Sequence, residues 1–120
     1  TVEAMFADCG DVLALAGINE MIAAYVALSR VTTAGGLLLL RAFAPELIVV
    51  SAGFDAPRDD PLAQLTWETE DFAWITAEIC ATAAECCAGR VVSTLEGGYD
   101  LKALGDSARA HVEELIKAAR

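Results

Sequence analysis

Asp55 and Tyr99 are the side chains in this sequence whose type and setting could do chemistry. Asp55 lies in Ser51-Ala-Gly-Phe-Asp-Ala-Pro-Arg-Asp-Asp-Pro-Leu62, and Tyr99 lies in Leu95-Glu-Gly-Gly-Tyr-Asp100. A carboxylate can ligate a metal cation, and a phenol can donate a hydrogen bond to an oxygen that gains negative charge. Each segment follows a run rich in β-branched residues, Leu47 to Val50 and Val91 to Thr94. Each polar group is therefore expected just past the carboxy end of a strand, where open α/β sheets collect ligands. One carboxylate and one phenol do not make a metal enzyme, so the groups that are missing matter equally.

The elements that must position these loops can be read on both sides of them. Leu47 to Val50 has no polar alternation, as expected of a strand covered on both faces. Pro57 and Pro61 limit backbone freedom in the turn-rich stretch 53–62. Thr69 is expected to cap the next helix, with Glu70 and Asp71 in its favourable first turn. That helix buries Phe72, Ile75, Ile79 and Cys86 on one face, runs to about Ala88 and stops at Gly89. Arg90 to Leu95 forms a second strand. Asp100 caps a last helix with Leu104, Ala108, Val112, Leu115 and Ile116 inward, and with Arg109–Glu113 and Glu113–Lys117 pairs outward.

Upstream, Val12, Leu15, Ile18, Ile22, Tyr25 and Val26 recur near a helical period and predict a helix over 11–29, with Gly17 weakening its centre. Thr32-Thr-Ala-Gly-Gly36 breaks the pattern, and a short helix from Leu37 to Phe43 ends at Ala44-Pro45. Helix, strand, helix, strand, helix is βαβ grammar, with parallel strands and a right-handed crossover. Two parallel strands make a thin sheet. Its edges need further strands from residues 1–36, from another copy, or from a missing part of a parent protein.

Composition narrows the partners. The chain has 120 residues, enough for one modest core, and is 56% hydrophobic with 7% aromatics. A formal charge of -10 opposes nucleic acid and anionic membranes and favours a basic partner. The apolar window 35–50 is interrupted by Arg41, Pro45 and Glu46 and is too short to span a bilayer. No signal peptide is read at the amino end. The four cysteines, Cys9, Cys80, Cys86 and Cys87, lack the spacing of a zinc site and read as buried thiols of a cytoplasmic protein.

Five linked segments, in order, then carry a resemblance: Arg41-Ala-Phe-Ala-Pro-Glu-Leu-Ile-Val-Val50, Ser51-Ala-Gly-Phe-Asp-Ala56, Asp59-Asp-Pro-Leu-Ala63, Glu70-Asp-Phe-Ala-Trp74 and Leu95-Glu-Gly-Gly-Tyr-Asp-Leu101. Residues 41–112 resemble the carboxy-terminal part of the zinc-dependent histone deacetylase superfamily. The nearest likeness is to bacterial histone-deacetylase-like amidohydrolases and acetylpolyamine amidohydrolases. The resemblance implies an arginase-like, three-layer α/β fold, with parallel strands and flanking helices, of which this chain is a part. Residues 1–36 are then a divergent helical segment, and 37–120 the deacetylase-like segment.

The family holds zinc with two aspartates, one histidine and a water. By motif position Asp55 matches the later aspartate, and Tyr99 matches the tyrosine that stabilises the tetrahedral oxyanion. Gly97 and Gly98 match glycines that let the channel backbone approach closely, while Asp60 and Pro61 shape the turn after the metal ligand. The family's Asp-x-His ligand segment and its adjacent catalytic histidines lie upstream, and residues 1–36 contain neither. The single histidine, His111, is expected to be a partly buried packing residue of the last helix. Pro57 stands where the family often has histidine.

The resulting expectation is a truncated or remnant deacetylase, inactive alone, whose complete parent hydrolyses N-acetylated amines. A homo-oligomer or the missing parent segment is the expected partner. The alternatives are a non-catalytic assembly or small-ligand-binding protein, or one part of a deacetylase completed by another chain.

Overall fold

The computed structural model describes the backbone of residues 13–18 and 21–27, and residues 44–57 and 66–120 in full. Four strands, β1 (Leu13–Ile18), β2 (Met21–Ala27), β3 (Leu47–Gly53) and β4 (Val91–Gly97), form one sheet in the order β1-β2-β3-β4. Helix α1 (Thr69–Cys87) connects β3 to β4, and α2 (Leu101–Ala118) follows β4. β2, β3 and β4 are mutually parallel, so this is an α/β fold of parallel strands with flanking helices. No described helix is long and apolar enough to cross a membrane.

The helix expected over 11–29 is not formed. β1 and β2 instead pair antiparallel, from Leu13 opposite Val26 to Ile18 opposite Met21. The segment is apolar at so many positions that it satisfies a period of two as readily as 3.6, and Gly17 weakens a helix. Long-range pairing decides between them: Ala23 to Ala27 of β2 align with Leu47 to Ser51 of β3, widening the sheet that two strands alone leave thin. The short helix expected over 37–43 lies outside the described residues.

The core sits between β3 and α1. Ile48, Val50, Ala52 and Phe54 alternate along β3 and its continuation, so they share one face and are buried. Phe72, Ile75, Ile79, Ala83 and Cys87 recur on one side of α1 and meet them. Leu104 and Ala108 of α2 pack at the margin. Cys80 and Cys87 are buried thiols, and Cys86, expected on the inner face, is only partly buried.

Helix ends follow local chemistry, with one displacement. Glu68, not Thr69, is the N-cap of α1, and its backbone N–H donates to Asp71 Oδ2 at 2.8 Å in a capping box. The box fixes the start one residue earlier than a hydroxyl cap at Thr69. Ala88 and Gly89 take left-handed φ values of 51° and 73° and end the helix. Asp100 caps α2 as expected, accepting from the Ala103 N–H at 2.8 Å.

The buried face of α2 also differs from its expected one. Ser107 and His111 are buried, whereas Val112 and Ile116 are 48% and 49% exposed. On the outer side, Arg109 pairs with Asp106 at 4.0 Å and Lys117 pairs with Glu114. The rotation follows from His111, which fills two hydrogen bonds inward.

Candidate functional site

Asp55 and Tyr99 emerge from the carboxy ends of adjacent parallel strands, β3 and β4. The register between these strands shifts at Ala52 and Gly53, and the Phe54 N–H donates to the Gly97 carbonyl at 2.9 Å. This bond carries the sheet contact beyond the regular ladder and ties the Asp55 loop to the Tyr99 loop. Upstream, Ser51 Oγ donates to Glu96 Oε2 at 2.5 Å across the same strand pair. Motif reading passed over that link, although both residues lie in the quoted segments.

The glycines explain how closely the loops approach. A Cβ on Gly97 would lie 3.6 Å from Asp55 Cγ, so the half-buried carboxylate stands against bare backbone there. At Gly98 φ is 130°, and a Cβ would fall 2.9 Å from Leu104 Cδ1 and 3.3 Å from both Phe54 Cβ and the Phe54 carbonyl oxygen. Gly98 therefore satisfies a steric and a torsional demand together. Tyr99 follows directly, exposed, and is held between this close approach and the Asp100 cap.

Gly98→Ala should accordingly destabilise the fold by about 2–3 kcal/mol in urea unfolding, from torsional strain plus the clash. Gly89→Ala is the control, because Gly89 also has positive φ but a Cβ there meets nothing within 4 Å. It should cost only about 1–2 kcal/mol. Equal losses at the two sites would remove the steric role given to Leu104 and Phe54.

Asp55 is backed by an aromatic cluster. The Phe54 ring lies 5.3 Å from Phe72, which also meets Trp67 at 5.1 Å. The Trp67 N–H donates to the Ala56 carbonyl at 3.2 Å, so the loop after Asp55 is fastened to the start of α1. Asp60 and Pro61 lie outside the described residues.

His111 stands behind this cluster, its ring 5.7 Å from Phe54. It is 3% exposed, more buried than a marginal packing residue. Thr76 Oγ1 donates to the Phe72 carbonyl at 2.6 Å, so its oxygen accepts from His111 Nδ1–H at 2.7 Å. Nε2 then accepts from Ser93 Oγ at 2.8 Å. This proton count assigns the neutral tautomer and links α1, α2 and β4 through one ring.

Burial holds the His111 pKa below its ordinary value. The folded state thus resists protonation more than the unfolded chain does, and its stability contribution is complete above the unfolded pKa of about 6.5. The contribution is lost as pH falls below that value. The urea midpoint should drop between about pH 7.5 and pH 5, and His111→Gln should flatten that part of the profile. An unchanged slope in the variant would assign the pH dependence to other groups.

The described site thus offers one carboxylate ligand and one phenolic hydrogen-bond donor. Among the described residues, no group of three or more His, Cys, Asp or Glu side chains could hold a metal ion. The residues present do not by themselves fit a catalytic zinc, which needs three protein ligands and an open position.

Comparison with known proteins agrees with the motifs. The family model for the histone deacetylase domain matches residues 23–115. The chain is 48% identical over 82 residues to histone deacetylase 10, chloroplastic, of Oryza sativa subsp. japonica, covering 65% of this chain and 18% of that protein. It is 49% identical over 69 residues to a probable deacetylase of Methanothermobacter thermautotrophicus, covering 58% of this chain and 19% of the relative. Among solved structures, the HDA15 HD domain superposes with a TM-score of 0.59 at 33% identity, over 66% of this chain and 21% of its own. The histone deacetylase Clr3 superposes with a TM-score of 0.61 at 28% identity, over 76% of this chain and 15% of its own. The chain therefore spans about a fifth or less of the length of these relatives.

Proposed function

Because the chain belongs to the histone deacetylase family, we propose that it forms the carboxy-terminal part of a zinc-dependent amidohydrolase site acting on N-acetylated amines. The observation that carries this reading is the junction of the two loops, where the Asp55 carboxylate lies against Gly97 and Tyr99 follows two residues later. In the complete site Asp55 is one of the metal ligands. Zinc, when bound, supplies Lewis-acid polarisation of the acetyl carbonyl and an activated water.

The remaining roles belong to residues of this chain. Tyr99 donates its phenolic proton in a hydrogen bond to the acetyl oxygen as that oxygen gains charge. Gly98 and the Asp100 cap fix the backbone on either side of Tyr99, and the Phe54–Gly97 hydrogen bond keeps the two loops together. His111 supplies no base, since both ring nitrogens are engaged within the fold. The other metal ligands and the proton-handling histidines come from polypeptide outside this segment, and the segment alone is inactive.

Native mass spectrometry after zinc addition tests this reading. The isolated chain should hold no tightly bound zinc. The chain fused behind an upstream family segment carrying Asp-x-His and the paired histidines should hold one. Asp55→Ala should weaken zinc in the fusion by more than the ~10–100-fold lost with an outer-shell partner. One zinc per isolated chain, or none in a folded fusion, would overturn the proposal. A folded fusion without zinc would instead mark a scaffold that has kept the family fold without its chemistry.

A further inference from the structure

The ladder between β3 and β4 contains one extra residue. Ala52 stands opposite Leu95 and Gly53 stands opposite Gly97, so no β3 residue stands opposite Glu96. Glu96 is therefore the inserted residue of a β-bulge, shortly before Tyr99 in the chain.

An inserted residue reverses which side of the sheet the following residues face. Before the bulge, Val91 packs on the core and Ser93 bonds His111 of α2, so the odd-numbered positions of β4 face the helices. Beyond it the assignment is opposite. A Cβ on Gly97 would lie 3.6 Å from Asp55 Cγ, whereas one on Gly98 would meet Leu104 of α2 and Phe54 of the core. Asp55 itself belongs to the side away from the helices, because Ile48, Val50, Ala52 and Phe54 occupy the helix side of β3. Unbroken alternation would instead send Gly97 and Tyr99 toward α2 with Ser93.

Ser51 supplies the restraint on this bulge. It lies between Val50 and Ala52, hence on the Asp55 side of the sheet, and is only 7% exposed. Its ladder neighbour is Thr94, yet its hydroxyl donates to Glu96 Oε2 at 2.5 Å. The carboxylate of the inserted residue thus reaches back along the sheet to the partner strand. A hydrogen bond of this kind is stronger than one between neutral groups.

We propose that Glu96, held by Ser51, is a positioning residue: the pair pins the bulge that turns Tyr99 to the side of Asp55. The catalytic consequence rests on the reading given under Proposed function, whereas the pin rests on the β3–β4 geometry alone. Neither side chain is assigned to metal or substrate, and both act through the backbone of residues 96–99.

Two measurements test the pair. In the isolated chain, Glu96→Ala and Ser51→Ala should each speed hydrogen exchange at the Phe54 amide, which donates to the Gly97 carbonyl, by at least about tenfold. The Ile48 amide donates to the Arg90 carbonyl at the other end of the same strand pair and should keep its protection. In the fusion with the upstream family segment, both variants should lower kcat for an N-acetylated amine by about 10–100-fold, the loss expected when a reacting geometry is displaced by about 1 Å. Zinc affinity and KM should stay nearly unchanged. Glu96→Gln keeps an oxygen that accepts from Ser51 and should return both readouts to within a few-fold of the parent.

Faster exchange at Phe54 and Ile48 alike would reduce the pair to general stability and overturn the inference. So would an unchanged kcat in an active fusion, no rescue by Glu96→Gln, or a fall in kcat that follows lost zinc. Failure of the proposed chemistry looks different: the unsubstituted fusion folds without zinc or turnover, while exchange at Phe54 still supports the pin or overturns it.

Discussion

Tyr99→Phe should lower kcat for hydrolysis of an N-acetylated amine by about 10²–10³-fold in the completed domain, the loss seen when one preorganised donor to an oxyanion is removed. The substitution deletes the phenolic oxygen and its proton and retains the ring. Tyr99 is 59% exposed, so its ring contributes little to the core, and the unfolding free energy should move by no more than about 0.5 kcal/mol. Zinc stoichiometry should not change, since Asp55 is untouched. Steady-state rates, urea unfolding and native mass spectrometry of the variant together separate these effects. A kcat within a few-fold of the parent would remove Tyr99 from transition-state stabilisation. A fall in kcat accompanied by lost zinc would make its role structural.

Phe72→Ala should cost about 3–5 kcal/mol, the range for removing a large aromatic from a packed core. Phe72 is fully buried, at 0% exposure, with the Phe54 and Trp67 rings packed against it at centroid distances of 5.3 and 5.1 Å. The lost apolar transfer and the cavity both contribute, because Phe54 and Trp67 are anchored by backbone hydrogen bonds to Gly97 and Ala56 and cannot simply collapse inward. A domain is stable by only about 5–15 kcal/mol, so this single change should leave the isolated chain marginal or unfolded. Trp74, on the same helix but 54% exposed, is the control. Trp74→Ala should fall within about 1 kcal/mol of the parent. Comparable losses for both would place the core elsewhere.

The Phe72 result also bears on chemistry. Phe54 immediately precedes Asp55, and its N–H is the bond that joins the two loops. A milder substitution, Phe72→Leu, keeps much of the volume and allows the folded protein to be assayed. Loosened packing under Phe54 should appear there as weaker zinc binding in the completed domain, although Phe72 touches neither metal nor substrate.

The sequence by itself determined the family, the βαβ core and the candidate loops. Ser51-Ala-Gly-Phe-Asp and Leu95-Glu-Gly-Gly-Tyr were legible because a short motif and the strand before it are local. The α1 stop at Ala88–Gly89 and the Asp100 cap were legible for the same reason. The tertiary structure decided what local pattern left degenerate. Residues 13–18 and 21–27 are apolar enough for either helix or strand, and pairing of β2 with β3 selected strand. In α2 the apolar positions pointed to Val112 and Ile116 as buried, yet His111 turned inward because Thr76 and Ser93, distant in sequence, supply both of its hydrogen bonds. The close approach of Gly98 to Leu104 and Phe54 likewise depends on three separate segments meeting. Motifs and caps are properties of neighbouring residues, whereas a strand's partner, a helix's rotation and a glycine's clearance are set by what packs against them.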